Sequence, residues 1–375
     1  MNPTDRPYVL HGFDVSYFTA KARAALRYKQ LYLEEKRANV RWILEQTGHA
    51  FIPVVTTPEG EVWQDTSEIL DALEARHPDP PLQPGTPVHR IVSALIEVFA
   101  DEVMLTAAMH TRWGTEEGEA LTRRRFGAMT GSMEQGNRAA DQMVKGRYAV
   151  GATPEAGPAI DAHLTAMLAA LSAHFDSHDF VLGDRMSVAD CALMGPIYAH
   201  FYTDLVSRRL LLETALPVVR WIEYCTMPGA DDQGDWFADD ALPDTLVEVL
   251  RTFGQDGAPL LVRLAETIEA WADTHAVVGE TPPRAVGVTE WPLRGATLTR
   301  GVQVYSLWML QRILDPYRAL PEADRARVDS ALAGTGWEPV LAYTPRHRLE
   351  KKGFDLVFAE PPRSVSGTGS GAPQA

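Results

Sequence analysis

The stretch "QDTSEILDAL", Gln64–Leu73, places an acid and two hydroxyls, Asp65, Thr66 and Ser67, just before a helix-like run. Two chemistries fit that order. A short polar side chain can cap a helix by accepting one of the backbone N–H groups left free at its start. The same free N–H groups and the positive end of the helix dipole can instead hold a small anion. Other side chains with chemical potential are sparse. His174 and His178, in "HFDSHD", share a helical i, i+4 spacing, but a metal needs further ligands on the same face. They read as a solvated helix end, and no metal site is expected. Cys191 and Cys225 lie in the apolar contexts "ADCALMG" and "WIEYCTM" and read as structural. Two cysteines give no disulfide framework and suit a reducing compartment.

Strand and helix signals alternate through the first 80 residues. "YVLHGF" (8–13) is a short apolar run ending at glycine, followed by the helix former "SYFTAKARAALRYKQ" (16–30). "YLEEKRANV" (32–40) reads as a second strand, and "FIPVVTT" and "EVWQD" as strands around the turn "PEGE". Ile69, Leu70 and Leu73 then give helical spacing over 66–77. Residues 78–87 hold five prolines and a glycine and read as a linker. Beyond it, long apolar stripes over 89–113 and 159–175 predict core helices. In "GDRMSVADCAL", Ser187 followed three residues later by Asp190 is a capping-box pattern opening a buried helix. The last third is mixed. Helices are expected over 242–254, 259–275 and 321–336, and a strand near 353–362. The small polar tail from Arg363 reads as disordered.

Composition narrows the function class. The 375 residues carry 35 basic and 50 acidic side chains, a net charge of −15. An acidic surface disfavours nucleic acid and anionic membranes. No apolar run approaches the roughly 20 residues that cross a bilayer. The N-terminal "MNPTDRPYVLHGF" lacks a charged-then-apolar leader, so a cytoplasmic protein is expected.

Residues 7–228 resemble the glutathione transferase superfamily. The likeness rests on "SYFTAKARAAL" after the first strand, "FIPVV", "QDTSEI" and "GDRMSVADCAL", in that order, with "LPVVRWIEYCTMPG" (216–229) closing it. It implies a thioredoxin-like α/β domain over 1–84, an all-α domain over 88–229, a mixed, mostly helical extension over 230–362 and a tail over 363–375. Glutathione is the implied co-substrate, an apolar electrophile its partner, and a homodimer the implied assembly. Asp65 then falls where an acid meets the γ-glutamyl ammonium, and Thr66 where a hydroxyl and backbone N–H bind the γ-glutamyl carboxylate. The Ile52–Pro53 bond is expected to be cis, exposing Ile52 to the cysteinyl backbone; otherwise Pro53 is a trans proline at a strand edge.

A free thiol has a pKa of about 8.5, so a thiolate needs a donor and a positive helix end. The resemblance puts Ser16 in that role, with Tyr17 as neighbour and runner-up; Ser16 otherwise serves only as a cap. Thiol oxidoreductases of this kind carry cysteine at the Ser16 position, so transfer, or glutathione-dependent cleavage or isomerisation, is implied over disulfide exchange. His110, Trp113 and Tyr198 are the candidates for the electrophile pocket. Two departures stand out. Where the family often has Lys or Gln for the glycyl carboxylate, this chain has Ala50 and Phe51, with His49, Trp42 and Arg41 nearby. The extension after residue 229 is also unlike ordinary members, and it leaves open a non-catalytic adaptor built on the same fold.

Overall fold

The computed structural model describes residues 6–229 and 234–360. The N-terminal unit runs β1 (Tyr8–Gly12), α1 (Tyr17–Tyr28), β2 (Leu33–Arg37), α2 (Val40–Thr47), β3 (Val54–Thr56), β4 (Val62–Gln64) and α3 (Thr66–Arg76). The sheet order is β2-β1-β3-β4, with β1 parallel to β2 and the other pairs antiparallel. This is the expected thioredoxin-like arrangement. The register fixes what matters for a site. His11 pairs with Val54, and Val54 with Gln64. The loop leaving β1, the residues entering β3 and those leaving β4 therefore meet at one end of the sheet. Ser16, Ile52–Pro53 and Asp65–Thr66 are those residues.

Residues 78–87 are not a loose spacer. Lys29 Nζ donates to the carbonyls of His77 (2.6 Å) and Pro80 (2.7 Å), Tyr28 Oη donates to Pro81 (3.2 Å), and Leu82 is buried. The chain then enters α4 (Pro87–Val98), α5 (Met104–Trp113), α6 (Glu116–Thr130), α7 (Met133–Ala149), α8 (Gly157–Phe175), α9 (Val188–Pro196), α10 (Leu205–Thr214) and α11 (Leu216–Thr226). The stripe over 89–113 is not one helix, because a π turn at Phe99–Val103 separates α4 from α5. Asp101 and Glu102, adjacent in that turn, are both buried.

The capping box at α9 is present, and Asp190 is sealed beneath it. His174 departs from the solvated helix end expected for it. It is buried, with Nε2 facing the carbonyls of Phe180 (3.3 Å) and Val181 (3.0 Å) and Nδ1 facing Thr245 Oγ1 (3.0 Å). Cys191 and Cys225 are both buried, and burial pushes both thiols up.

The extension comprises α12 (Asp244–His275), β5 (Ala285–Leu293), β6 (Ala296–Gln303), α13 (Tyr305–Ala319), α14 (Glu322–Leu332), α15 (Glu338–Ala342), β7 (Arg348–Lys352) and β8 (Asp355–Ala359). β5–β6 and β7–β8 are antiparallel hairpins. Where two helices were expected over 242–275 there is one of 32 residues, continuous through Pro259. Its glycines are packing sites: a Cβ at Gly257 would come within 2.7 Å of Phe99. One apolar core runs from Tyr8 to Phe358, so the extension shares the interior of the rest. The tail from Arg363 lies outside the described residues. No described helix is long and apolar enough to cross a membrane.

Candidate functional site

Ser16 caps α1. Its Oγ accepts from Thr19 N (3.4 Å), and its own N–H donates to Phe13 O (3.0 Å). Among the described residues its hydroxyl proton has no protein acceptor. The side chain is half-buried at the positive end of α1, a place suited to donating to an anion. Tyr17 is placed differently. Its hydroxyl donates to Ala100 O inside the packed interface with the π turn. Burial, with Asp101 adding to it, pushes that hydroxyl far up. Its proton is committed to the protein.

Ile52–Pro53 is cis. The loop before it is held from within: Gln64 Nε2 donates to the carbonyls of Phe51 (2.9 Å) and His49 (3.4 Å). The N–H and carbonyl of Ile52 have no protein partner among the described residues.

Asp65 is the N-cap of α3, with Oδ1 accepting from Ser67 N (3.1 Å). Its backbone is unusual for a cap, at φ 79° and ψ 119°. A side-chain-bearing residue there is strained by about 1–3 kcal/mol. Thr66 follows, 5% exposed, with a hydroxyl that makes no hydrogen bond among the described residues. The first turn of α3 is fixed from below by Lys21, a fully buried lysine of α1. Its ammonium donates to Ser67 Oγ (3.2 Å), Glu97 Oε1 (2.8 Å) and Asp101 Oδ2 (2.6 Å). Ser67 Oγ in turn donates to Glu97 Oε1 (2.7 Å). Burial raises Glu97, but Lys21 and Arg312 outweigh it and hold the carboxyl below its usual range. Asp101 moves the other way: burial raises it, Glu97 stands beside it, and its Oδ1 has no hydrogen-bond partner among the described residues.

The extension closes over this sheet end. Lys351, at the end of β7, donates to Asp65 Oδ2 (3.1 Å), with the two side chains 17% and 10% exposed. Asp355, opening β8, pairs with His49 Nε2 (2.9 Å). The Arg284 guanidinium lies 4.5 Å from the centre of the Phe51 ring, and His49 stacks on that ring. Tyr305 lies partly buried near Asp65, and desolvation with that carboxylate pushes its hydroxyl far up.

The structure brings Ser16, Ile52, Pro53, Asp65 and Thr66 together and leaves the remaining candidates elsewhere. Trp113 is core, packed edge-on against Phe126. His110 pairs with Asp161 on α8 (2.9 Å), and Tyr198 stacks on Tyr202. Of the stand-ins for the glycyl end, His49 is engaged by Asp355, Trp42 packs on His11, and Arg41 pairs with Glu45. Sequence reasoning missed Lys21 and Lys351. Lys21 sits in an alanine-rich helix with no local sign of burial. Lys351 lies 286 residues from its partner.

Residues 10–81 match the family model described as "Glutathione S-transferase, N-terminal domain". No curated protein matches the chain in sequence. Among solved structures, the chain is similar to the beta-etherase LigF from Sphingobium sp. strain SYK-6 at 14% identity and a TM-score of 0.41, over 60% of this chain and 97% of that one. It is also similar to a glutathione S-transferase from Rhodospirillum rubrum F11 (15%, TM-score 0.43, over 64% and 99%) and to FzlA from C. crescentus (17%, 0.40, over 65% and 99%). Likenesses at this level say nothing of activity. The matched residues 10–81 run from β1 past α3 and hold Ser16, Ile52, Pro53, Asp65 and Thr66, so the candidate site falls wholly within the segment that matches the glutathione S-transferase N-terminal domain.

Proposed function

We propose that the sheet end binds glutathione and activates its thiol, making the protein a glutathione-dependent transferase. The observation that carries this reading is a set of unspent polar groups at one place. Among the described residues, the Ser16 hydroxyl proton, the Ile52 N–H and carbonyl and the Thr66 hydroxyl have no protein partner. A tripeptide thiol supplies what each lacks. Ser16 and the N-terminus of α1 favour the thiolate. Ile52 pairs with the cysteinyl backbone, beside Pro53. Thr66 and the N-terminus of α3 take the γ-glutamyl carboxylate. Asp65 takes the ammonium, and Lys351 is an ammonium already resting on its Oδ2. The thiolate would attack an apolar electrophile, or drive cleavage or isomerisation of one metabolite.

The ion pair of Lys351 with Asp65 also favours a second reading, a protein that keeps this fold for contacts and has lost the ligand. Calorimetric titration with glutathione, with conjugation assays over several electrophiles, separates the two. Saturable binding with turnover supports the transferase. Binding without turnover on generic electrophiles supports the specific lyase or isomerase. No binding at millimolar ligand leaves the adaptor.

A further inference from the structure

Lys351 stands at the carboxylate that the glutathione reading reserves for the ligand's ammonium. Whether the β7–β8 hairpin is a lid or a wall depends on what holds its base. Leu349 is buried and bracketed by Gln311, which donates to its carbonyl (2.9 Å) and accepts from its N–H (2.9 Å). Arg348 pairs with Asp315 through both terminal nitrogens (3.1 and 2.7 Å). Phe358 is buried, with its N–H donating to Glu280 and its carbonyl accepting from Gly279. A hairpin tied to α13 and to the segment after α12 by buried groups is a wall, and the Lys351 side chain reaches Asp65 from it. That side chain also lies 5.0 Å from the Trp308 ring centre and borders a cleft of about 1000 Å³ shared with Glu68 and Glu350.

We propose that Lys351 is a specificity-determining residue that fills the ammonium subsite at Asp65, so that the site prefers a cysteinyl thiol whose acyl end carries a carboxylate and no α-ammonium. This rests on the glutathione reading of the same site. An incoming ammonium must displace Lys351 from Asp65 and tolerate a second cation within the pocket. A lone carboxylate is drawn by the start of α3 and by Lys351, whose ammonium offsets the repulsion of Asp65 and Glu68. The ion pair is largely desolvated, so the discrimination is stronger than a surface pair would give.

The test uses the full chain, glutathione and its desamino analogue, N-glutaryl-cysteinylglycine, titrated calorimetrically. The wild-type protein should bind the analogue at least about tenfold more tightly than glutathione. Lys351→Met should erase or invert that ratio by strengthening glutathione, and Lys351→Arg should keep it. Equal ratios in all three folded proteins overturn the role of Lys351 and leave the glutathione reading standing. Tighter binding of glutathione than of the analogue by the wild type overturns it too, whether or not the methionine variant folds. Binding of neither ligand by any of the three proteins overturns the glutathione reading and this inference together.

Discussion

Two aspartates open two helices in this chain, and they do so on different terms. Asp190, in the first turn of α9, is fully buried and accepts four hydrogen bonds. They come from Val181 N (3.0 Å), Trp221 Nε1 (2.9 Å), Ser187 N (2.9 Å) and Ser187 Oγ (2.8 Å). Every donor is part of the helical unit and every contact is structural. Asp65, before α3, satisfies one helix N–H and holds a lysine ammonium from the extension. It does so from a backbone conformation that costs energy, where a relaxed aspartate would cap as well. The difference teaches how to tell a cap from a site. A cap is saturated by its own neighbourhood and unstrained. The proposed site at Asp65 is strained and met by a group from far along the chain.

Four changes test that contrast. Asp190→Ala should be the most damaging, since it strands the indole of Trp221 and two backbone N–H groups in the interior. A loss of about 3–5 kcal/mol in urea unfolding is expected; a loss below about 1 kcal/mol would mean the cap is not structural. The second change is in pH. Burial, with His178 beside it, lowers His174 to about 4, so the folded state keeps the ring neutral. The unfolded state takes a proton below about pH 6.5. Stability from this group is therefore full above about pH 6.5 and is lost as the pH falls toward 4, by up to about 3 kcal/mol. His174→Gln should flatten that part of the stability profile; an unchanged slope would contradict it. Third, Ser16→Ala should cut turnover of a glutathione substrate about tenfold to a hundredfold with little change in affinity. Equal loss of both would reduce Ser16 to a cap. Last, Asp65→Gly should leave stability within about 1 kcal/mol, because glycine relieves the positive φ and caps nearly as well, which offsets the loss of the ion pair with Lys351. Its larger effect belongs in ligand binding.

Much of this contrast could be read from local sequence. The strands around "PEGE", the alanine-rich α1 and the box at Ser187 and Asp190 are governed by short-range rules, and those rules held. The parts that escaped are set by distant partners. Proline and glycine argued for a break inside α12, yet Gly254 and Gly257 are there to let Trp337 and Phe99 approach, and the helix continues. The π turn at Phe99–Val103 buries two adjacent carboxylates, which no 3.6-residue pattern anticipates. His174 looked like a helix end facing solvent because what covers it is a folded-back loop, with the Phe180 and Val181 carbonyls, and Thr245 from 71 residues away. At the candidate site the resemblance named residues of the N-terminal domain that the register gathers at one end of the sheet. The wall built by Lys351, Asp355 and Arg284 was not, because nothing in "EKKG" tells which sheet end it will cover.

The most direct measurement is a calorimetric titration of glutathione into the full chain, the Asp65→Gly variant and the Lys351→Met variant. Saturable binding by the wild type, tightened in Lys351→Met and lost in Asp65→Gly at nearly unchanged stability, is the predicted result. No saturable binding at millimolar glutathione in either the wild type or Lys351→Met would contradict a ligand site at the mouth of α3 and return Asp65 to the role of a strained cap.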